Sequence, residues 1–138
     1  MEKRLLCLED ETSLQNMYLR LFGSFATVSV AANGQEGLEF LQQADGQGTR
    51  YDLIITDANM PVMDGFEFLR SIQEREHLPP RVMYSSPIHS TEKEAHQQVL
   101  ALGGLGLIVK PMGIDFLEAV VQELLVGNMS PTLERYGV

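Results

Sequence analysis

The chain has 138 residues, 44% of them hydrophobic and 21% charged, which fits one globular domain able to bury roughly two thirds of its unfolded surface. A net charge of -9 repels phosphate backbones and acidic membrane surfaces, so direct nucleic-acid binding is not expected and protein, cation or small molecule remain as partners. The start "MEKRLLCLEDE" lacks a signal-peptide core, no apolar run reaches the ~18 residues of a membrane span, and the lone Cys7 sits in an apolar run as a small buried hydrophobe; a cytoplasmic protein with no membrane partner is expected.

In chain order, "RLLCL" (4–8) has strand length and little polar alternation, as expected of a strand covered on both faces. Leu14, Met17, Leu21 and Phe22 then form a helical stripe, with Thr12 and Gln15 at capping-box spacing before it and Gly23 where it should stop. "ATVSVAA" (26–32) is the second strand, and Leu38 and Leu41 mark the second helix. The polar, Gly-rich "ADGQGTR" (44–50) that follows reads as a mobile surface loop rather than a binding site. "DLIIT" (52–56) is the third strand, and Asp64 with Glu67 opens a helix bearing Phe66, Leu69 and Ile72. "RVMYS" (81–85) is the fourth, followed by Thr91 and Glu94 ahead of Ala95, Val99 and Leu102. "LGLIV" (105–109) is the fifth, and Leu117, Val120, Val121 and Leu124 lie on a last helix that should stop at Gly127.

Alternating strands and helices predict an α/β fold, a doubly wound five-stranded parallel sheet with helices on both faces. Each crossover must be right-handed, and each helix stripe needs a sheet face to bury against. The domain is expected to span residues 1–127, with 128–138 as a tail, a short extra helix or the start of a linker.

In such a sheet the chemistry gathers at the carboxyl ends of the strands. Those ends carry Glu9, Asp10 and Glu11 after the first strand, Asp57 after the third, Ser85 and Ser86 at the fourth, and Lys110 with Pro111 after the fifth. Carboxylates converging within about 4 Å of each other cost on the order of 4 kcal/mol per pair at an effective dielectric near 20. Either one takes up a proton or a cation sits among them, and an all-oxygen ligand set suits Mg²⁺ better than zinc. The plainer readings are a turn or N-cap aspartate at 57, a solvated acidic turn at 9–11, a surface lysine at 110 and a capping serine at 85. Asp57 and Lys110 each follow a wholly apolar strand, which argues against the first and third.

The motifs "LEDE", "DLIITDANMPVMDGFEFL", "RVMYSS" and "GLIVKP", in this order and at these spacings, resemble the receiver domain of two-component response regulators, of the chemotaxis-regulator kind. The resemblance covers roughly residues 4–126 and implies the flavodoxin-like strand order 2-1-3-4-5. It implies that Asp57 accepts a phosphoryl group from a histidine kinase or histidine phosphotransfer protein, forming an acyl phosphate. By the same resemblance Asp10, Asp57 and the backbone carbonyl of Asn59 hold Mg²⁺, Glu9 helps through water, and Lys110 and Ser85 contact the phosphoryl oxygens. Pro111 would follow a cis peptide, and Gly65 would permit a tight backbone passage. No organic cofactor is implied.

The pattern departs from the family in places. An aromatic usually stands two or three residues before the lysine, where this chain has Leu107; Tyr84, beside Ser85, is the candidate to take over its switching part. Ser86 and Pro87 make a bulkier, stiffer rim than is usual, which predicts a long-lived acyl phosphate. Glu9 stands in place of the commoner aspartate. His77, His89 and His96 read as surface or loop residues, "GGLG" (103–106) as a helix-to-strand connection, and the methionines as core filling.

The function expected is a signalling switch in which phosphorylation alters a surface over residues 91–126, the same surface available for a homodimer. Such a chain catalyses only its own phosphorylation and dephosphorylation and is not otherwise an enzyme. Its output is a downstream protein or a covalently attached output domain. Two other classes share the residues. A Mg²⁺-dependent aspartyl phosphatase would carry a second aspartate two residues after the nucleophile, where this chain has Asn59; a receiver-like interaction module would not need Asp10, Asp57 and Lys110 together.

Overall fold

The computed structural model describes residues 2–127 and 129–136. Five strands alternate with helices: β1 (Arg4–Leu8), α1 (Thr12–Phe22), β2 (Thr27–Ala31), α2 (Gly34–Gln47), β3 (Leu53–Thr56), α3 (Gly65–Ile72), β4 (Arg81–Ser85), α4 (Glu92–Ala101), β5 (Leu107–Val109) and α5 (Ile114–Gly127), followed by a short α6 (Pro131–Tyr136). The sheet is parallel throughout, in the order β2-β1-β3-β4-β5. The order 2-1-3-4-5 is therefore the one the resemblance implied.

Side-chain alternation along each strand feeds two separate cores. Leu6, Leu8, Ile54, Met83 and Leu107 pack under α2, α3 and α4 with Leu41, Phe68, Leu69 and Val99. Leu5, Cys7, Leu53, Ile55, Val82, Tyr84 and Ile108 pack under α1 and α5 with Tyr18, Phe22, Leu117, Val121 and Leu124. Burial on both faces is why β1, β3 and β4 read as mostly apolar runs, whereas the edge strand β2 keeps Thr27 exposed.

Several local expectations need correction. The polar 44–50 stretch is not a loop throughout, because α2 runs on to Gln47: Ala44 is still buried against the sheet, and the turn comes only at Gly48, whose φ of 70° is left-handed. Thr12 and Gln15 form no capping box; Thr12 is already inside α1, Glu11 takes the N-cap position without a side-chain bond, and Gln15 Nε2 donates to the Glu9 carbonyl at 2.6 Å. Asp64 and Glu67 do form the reciprocal box. At α4 the Thr91 hydroxyl accepts the Glu94 N–H, but the Glu94 carboxylate accepts a hydrogen bond from that hydroxyl and not from the Thr91 backbone N–H. β2 and β5 are shorter than expected. Leu105 N–H still bonds to Arg81, but Gly106, at φ 148°, breaks the extension before Leu107.

His96 is not a free surface histidine. It is half-buried on α4, and its Nδ1 accepts the N–H of Leu107 at 3.1 Å. That N–H points outward from β5, the edge strand, so the imidazole covers a donor the sheet cannot. Asn128, where the tail was expected to begin, lies outside the described residues.

Candidate functional site: an acidic cluster bridged by a lysine

The backbone ladder runs one residue past β1, β3 and β5 and so fixes Glu9, Asp57 and Lys110. Glu9 N–H donates to Ala31, Asp57 N–H to Leu8 and Lys110 N–H to Ser85, at 2.8, 2.9 and 3.0 Å. Each candidate side chain therefore springs from a backbone held by its neighbouring strand, at one rim of the sheet.

The Lys110 ammonium donates to Glu9 Oε1 at 2.7 Å and to Asp57 Oδ2 at 2.8 Å. The other Asp57 oxygen, Oδ1, accepts the Ser85 hydroxyl at 2.5 Å and the Asn59 N–H at 3.2 Å. Glu9 Oε2 accepts the Glu11 N–H at 3.1 Å. Glu9 is fully buried, Ser85 likewise, and Asp57 is 7% exposed. Three acidic groups, Glu9, Asp10 and Asp57, each offer an oxygen within 4.8 Å of the others, and Asp10 faces solvent. That donor set, all oxygen and open on one side, fits a hard divalent cation.

Burial raises the Glu9 carboxyl above its usual range, with Lys110 and the Glu11 N–H opposing it and the Asp57 charge adding to it. Burial alone would lower Lys110. Its hydrogen bonds and charge contacts with Asp57 and Glu9 outweigh that and hold it above the ordinary lysine value. The cluster thus keeps a protonated amine between two acids.

Gly65 makes the tight passage possible. A Cβ there would overlap the carbonyl oxygen of Asp57, and Gly65 N–H donates to Ala58 at 2.8 Å to close the turn. The Lys110–Pro111 peptide is cis.

Asp57, Lys110, Ser85, Glu9 and Asp10 thus meet, and Asn59 joins them through its backbone N–H. The Asn59 side chain adds a contact the sequence did not suggest, donating to the Ser86 carbonyl at 3.0 Å, and so ties the loops after β3 and β4 together. Gln15 was also missed, because its spacing from Thr12 imitated a cap. Tyr84 and Leu107 stand apart from the carboxylates and on opposite faces of the sheet, Leu107 under α4 and Tyr84 under α5. The Tyr84 hydroxyl accepts the Met112 N–H at 3.0 Å, just beyond Lys110. A cavity of ≈ 430 Å³ lies elsewhere, lined by Asp45, Arg50, Arg75 and His77, and shares no residue with this cluster.

The response regulator receiver domain family matches residues 5–122, and the chain belongs to that family. It is a receiver domain of two-component signalling. Over 131 residues it is 30% identical to "Protein-glutamate methylesterase/protein-glutamine glutaminase 1" of Syntrophomonas wolfei, an alignment covering 92% of this chain and 35% of that protein. It is 28% identical to "Transcriptional regulatory protein CiaR" of Streptococcus pneumoniae, over 88% of this chain and 51% of that one. The chain thus spans about a third to a half of the length of these relatives. Among solved structures, chemotaxis response regulator CheY4 of Vibrio cholerae superposes with a TM-score of 0.73 at 31% identity, covering 90% of this chain and 99% of that one. No helix among the described residues is long and apolar enough to cross a membrane.

Proposed function

We propose that Asp57 is the phosphoacceptor of a phosphorylation-driven switch. A carboxylate oxygen of Asp57 attacks phosphorus, the P–N bond of a phosphohistidine on a kinase or phosphotransfer protein breaks, and an acyl phosphate forms. The observation that carries this reading is the pair of donors already on Asp57: Lys110 on one oxygen and Ser85 on the other. Donors already held on both Asp57 oxygens support a role for Lys110 and Ser85 as partners of the phosphoryl oxygens. Asp10, Asp57 and the Asn59 carbonyl are the residues to hold Mg²⁺, with Glu9 behind them through water; bound there, the ion would offset charge on the phosphoryl oxygens.

The chain's own groups do the rest. Ser85 leaving Asp57 Oδ1 and Lys110 changing partner both bear on the carboxyl ends of β4 and β5, next to the surface over residues 91–126. Tyr84 is suited to carry the change towards α5 through Met112, on the face opposite Leu107. Ser86 and Pro87 narrow the rim, which favours a long-lived acyl phosphate. The reading places the protein in the cytoplasm, opposite a histidine kinase, with residues 1–127 as the receiver and its output in a partner protein or a further domain. The methylesterase and regulatory relatives, of which this chain spans only part, support the second arrangement.

Incubation with acetyl phosphate and Mg²⁺ should add one phosphoryl group by intact mass, and Asp57→Asn should abolish it. An unmodified wild-type chain that also fails to bind beryllofluoride would leave only an interaction module. Sustained multiple turnover of a phosphate ester would turn the assignment to an aspartyl phosphatase.

A further inference from the structure

The tail after α5 folds back as α6 and is seated by three separate contacts. At its start, Glu123 on α5 accepts the Ser130 hydroxyl at 2.7 Å, the Thr132 N–H at 3.0 Å and the Thr132 hydroxyl at 2.7 Å. Ser130, 3% exposed, in turn caps the helix by accepting the Leu133 N–H at 3.0 Å. In its middle, Leu133 packs onto the core beneath α1 and α5. At its end, the Tyr136 ring lies 5.3 Å from that of Phe116, and its hydroxyl accepts the N–H of Val109 at 3.3 Å.

The last contact is the informative one. Val109, like Leu107, turns its N–H away from β4 at the open edge of the sheet, and an edge donor invites a partner. Among the described residues, Leu107 is covered by His96 from α4, whereas Val109 is covered only by a phenol from α6. A six-residue helix is marginal on its own in water, so its docking has little reserve against a competitor. Val109 also immediately precedes Lys110, the residue that bridges Glu9 and Asp57.

We propose that the outer edge of β5 and the adjoining face of α5 form a docking seat for a short helix carrying a leucine and an aromatic hydroxyl one turn apart, with α6 as its resting occupant in cis. A partner helix of the same chemistry, its N-terminal turn placed on Glu123, binds by displacing α6. Phosphorylation loosens the seat for either occupant, because a change at Lys110 moves the strand residue whose N–H holds Tyr136. This last step rests on the phosphoacceptor reading; the seat itself does not. Coupling of this kind is reciprocal, so loosening α6 also strengthens binding at the acidic site.

The test uses the full chain, with Leu133→Asp to unseat α6 and Tyr136→Phe as the milder variant that keeps the ring. Amide exchange is followed by NMR at Val109, with Leu107 as internal reference, and a synthetic peptide of residues 129–136 is the trans probe. Unseating α6 should speed Val109 exchange about tenfold or more and leave Leu107 unchanged. The peptide, at about millimolar concentration, should restore Val109 protection in Leu133→Asp and bind wild type at least about tenfold more weakly. Unchanged Val109 exchange in both variants, or no peptide binding to Leu133→Asp, overturns the seat. Beryllofluoride with Mg²⁺ should then speed Val109 exchange in the wild type and weaken peptide binding to Leu133→Asp. If fluorine NMR shows beryllofluoride bound and neither Val109 exchange nor peptide binding changes, the coupling is overturned; if none binds, the phosphoacceptor reading and the coupling fall together, and the seat is decided by the first two arms.

Discussion

Lys110 and Asp57 meet at 2.8 Å although β5 and β3, the strands that deliver them, are not neighbours; the lysine reaches across the end of β4. In doing so it also satisfies Glu9, which has no access to solvent. Lys110→Met should therefore leave two buried acids unpaired and cost about 3 kcal/mol of stability at pH 7. The sign of its pH dependence follows from Glu9. A carboxyl raised in the folded state contributes stability that is present below its unfolded value, near 4.3, and lost as pH rises through the folded value. The deficit of the variant should accordingly shrink towards pH 4.5, and Mg²⁺ should partly restore stability at pH 7. Urea unfolding at both pH values, with and without Mg²⁺, measures all three; a pH-independent loss would mean that packing of the lysine stem and not charge is responsible.

Gly65 is the only residue the turn after β3 can accept, since a methyl group there overlaps the Asp57 carbonyl. The obstacle is backbone and cannot rotate away. Gly65→Ala should destabilise by about 2–4 kcal/mol and displace the Asp57 carboxylate from Ser85. Thermal unfolding reads the first effect, and the rate of phosphorylation by acetyl phosphate reads the second. Wild-type values for both would show that the loop has room the geometry denies it.

How much of this was legible depends on whether the cause was local. Most of the five strands could be read because burial on two faces leaves a plain mark, a short apolar run, with helical stripes between; their order in the sheet came only with the resemblance to receiver domains. The rim residues Asp57 and Lys110 could be read for the same reason, as charges ending apolar runs. Glu9 could be named but not its burial, since the partner that permits it, Lys110, lies 101 residues away. The end of α2 was misread because Asp45, Gly46 and Gln47 are solvent-facing letters on a last turn whose buried side shows only as Ala44. His96, Gln15 and Tyr136 each satisfy a backbone group of a distant or irregular segment, and periodicity carries no trace of such a bond.

Cys7 lies in the middle of β1 with no exposed surface, and burial, then the Glu9 charge, pushes its thiol far above the ordinary range. It should react with a charged disulfide reagent only when the sheet opens. Labelling of the native protein at pH 8 should thus be slow, should accelerate with urea in step with global unfolding, and should slow further when beryllofluoride and Mg²⁺ are present. Complete reaction within seconds under native conditions would place β1 in a region that opens locally.

The Tyr84 hydroxyl holds the Met112 N–H in the segment between Lys110 and α5, and the Lys110 ammonium lies 5.5 Å from the centre of the same ring. Tyr84→Phe keeps the ring and removes the acceptor, leaving a donor in a half-buried segment unsatisfied, which should cost about 1–2 kcal/mol. The functional consequence is separable from that loss. In wild type, beryllofluoride with Mg²⁺ should change the exchange rate of the Met112 amide, because Lys110 shifts towards the bound anion and draws the segment with it. In Tyr84→Phe the amide should exchange fast with and without the anion. If beryllofluoride binds the wild type and Met112 exchange does not move, the tyrosine is a fixed strut of the β5–α5 connection and the switch runs along another path.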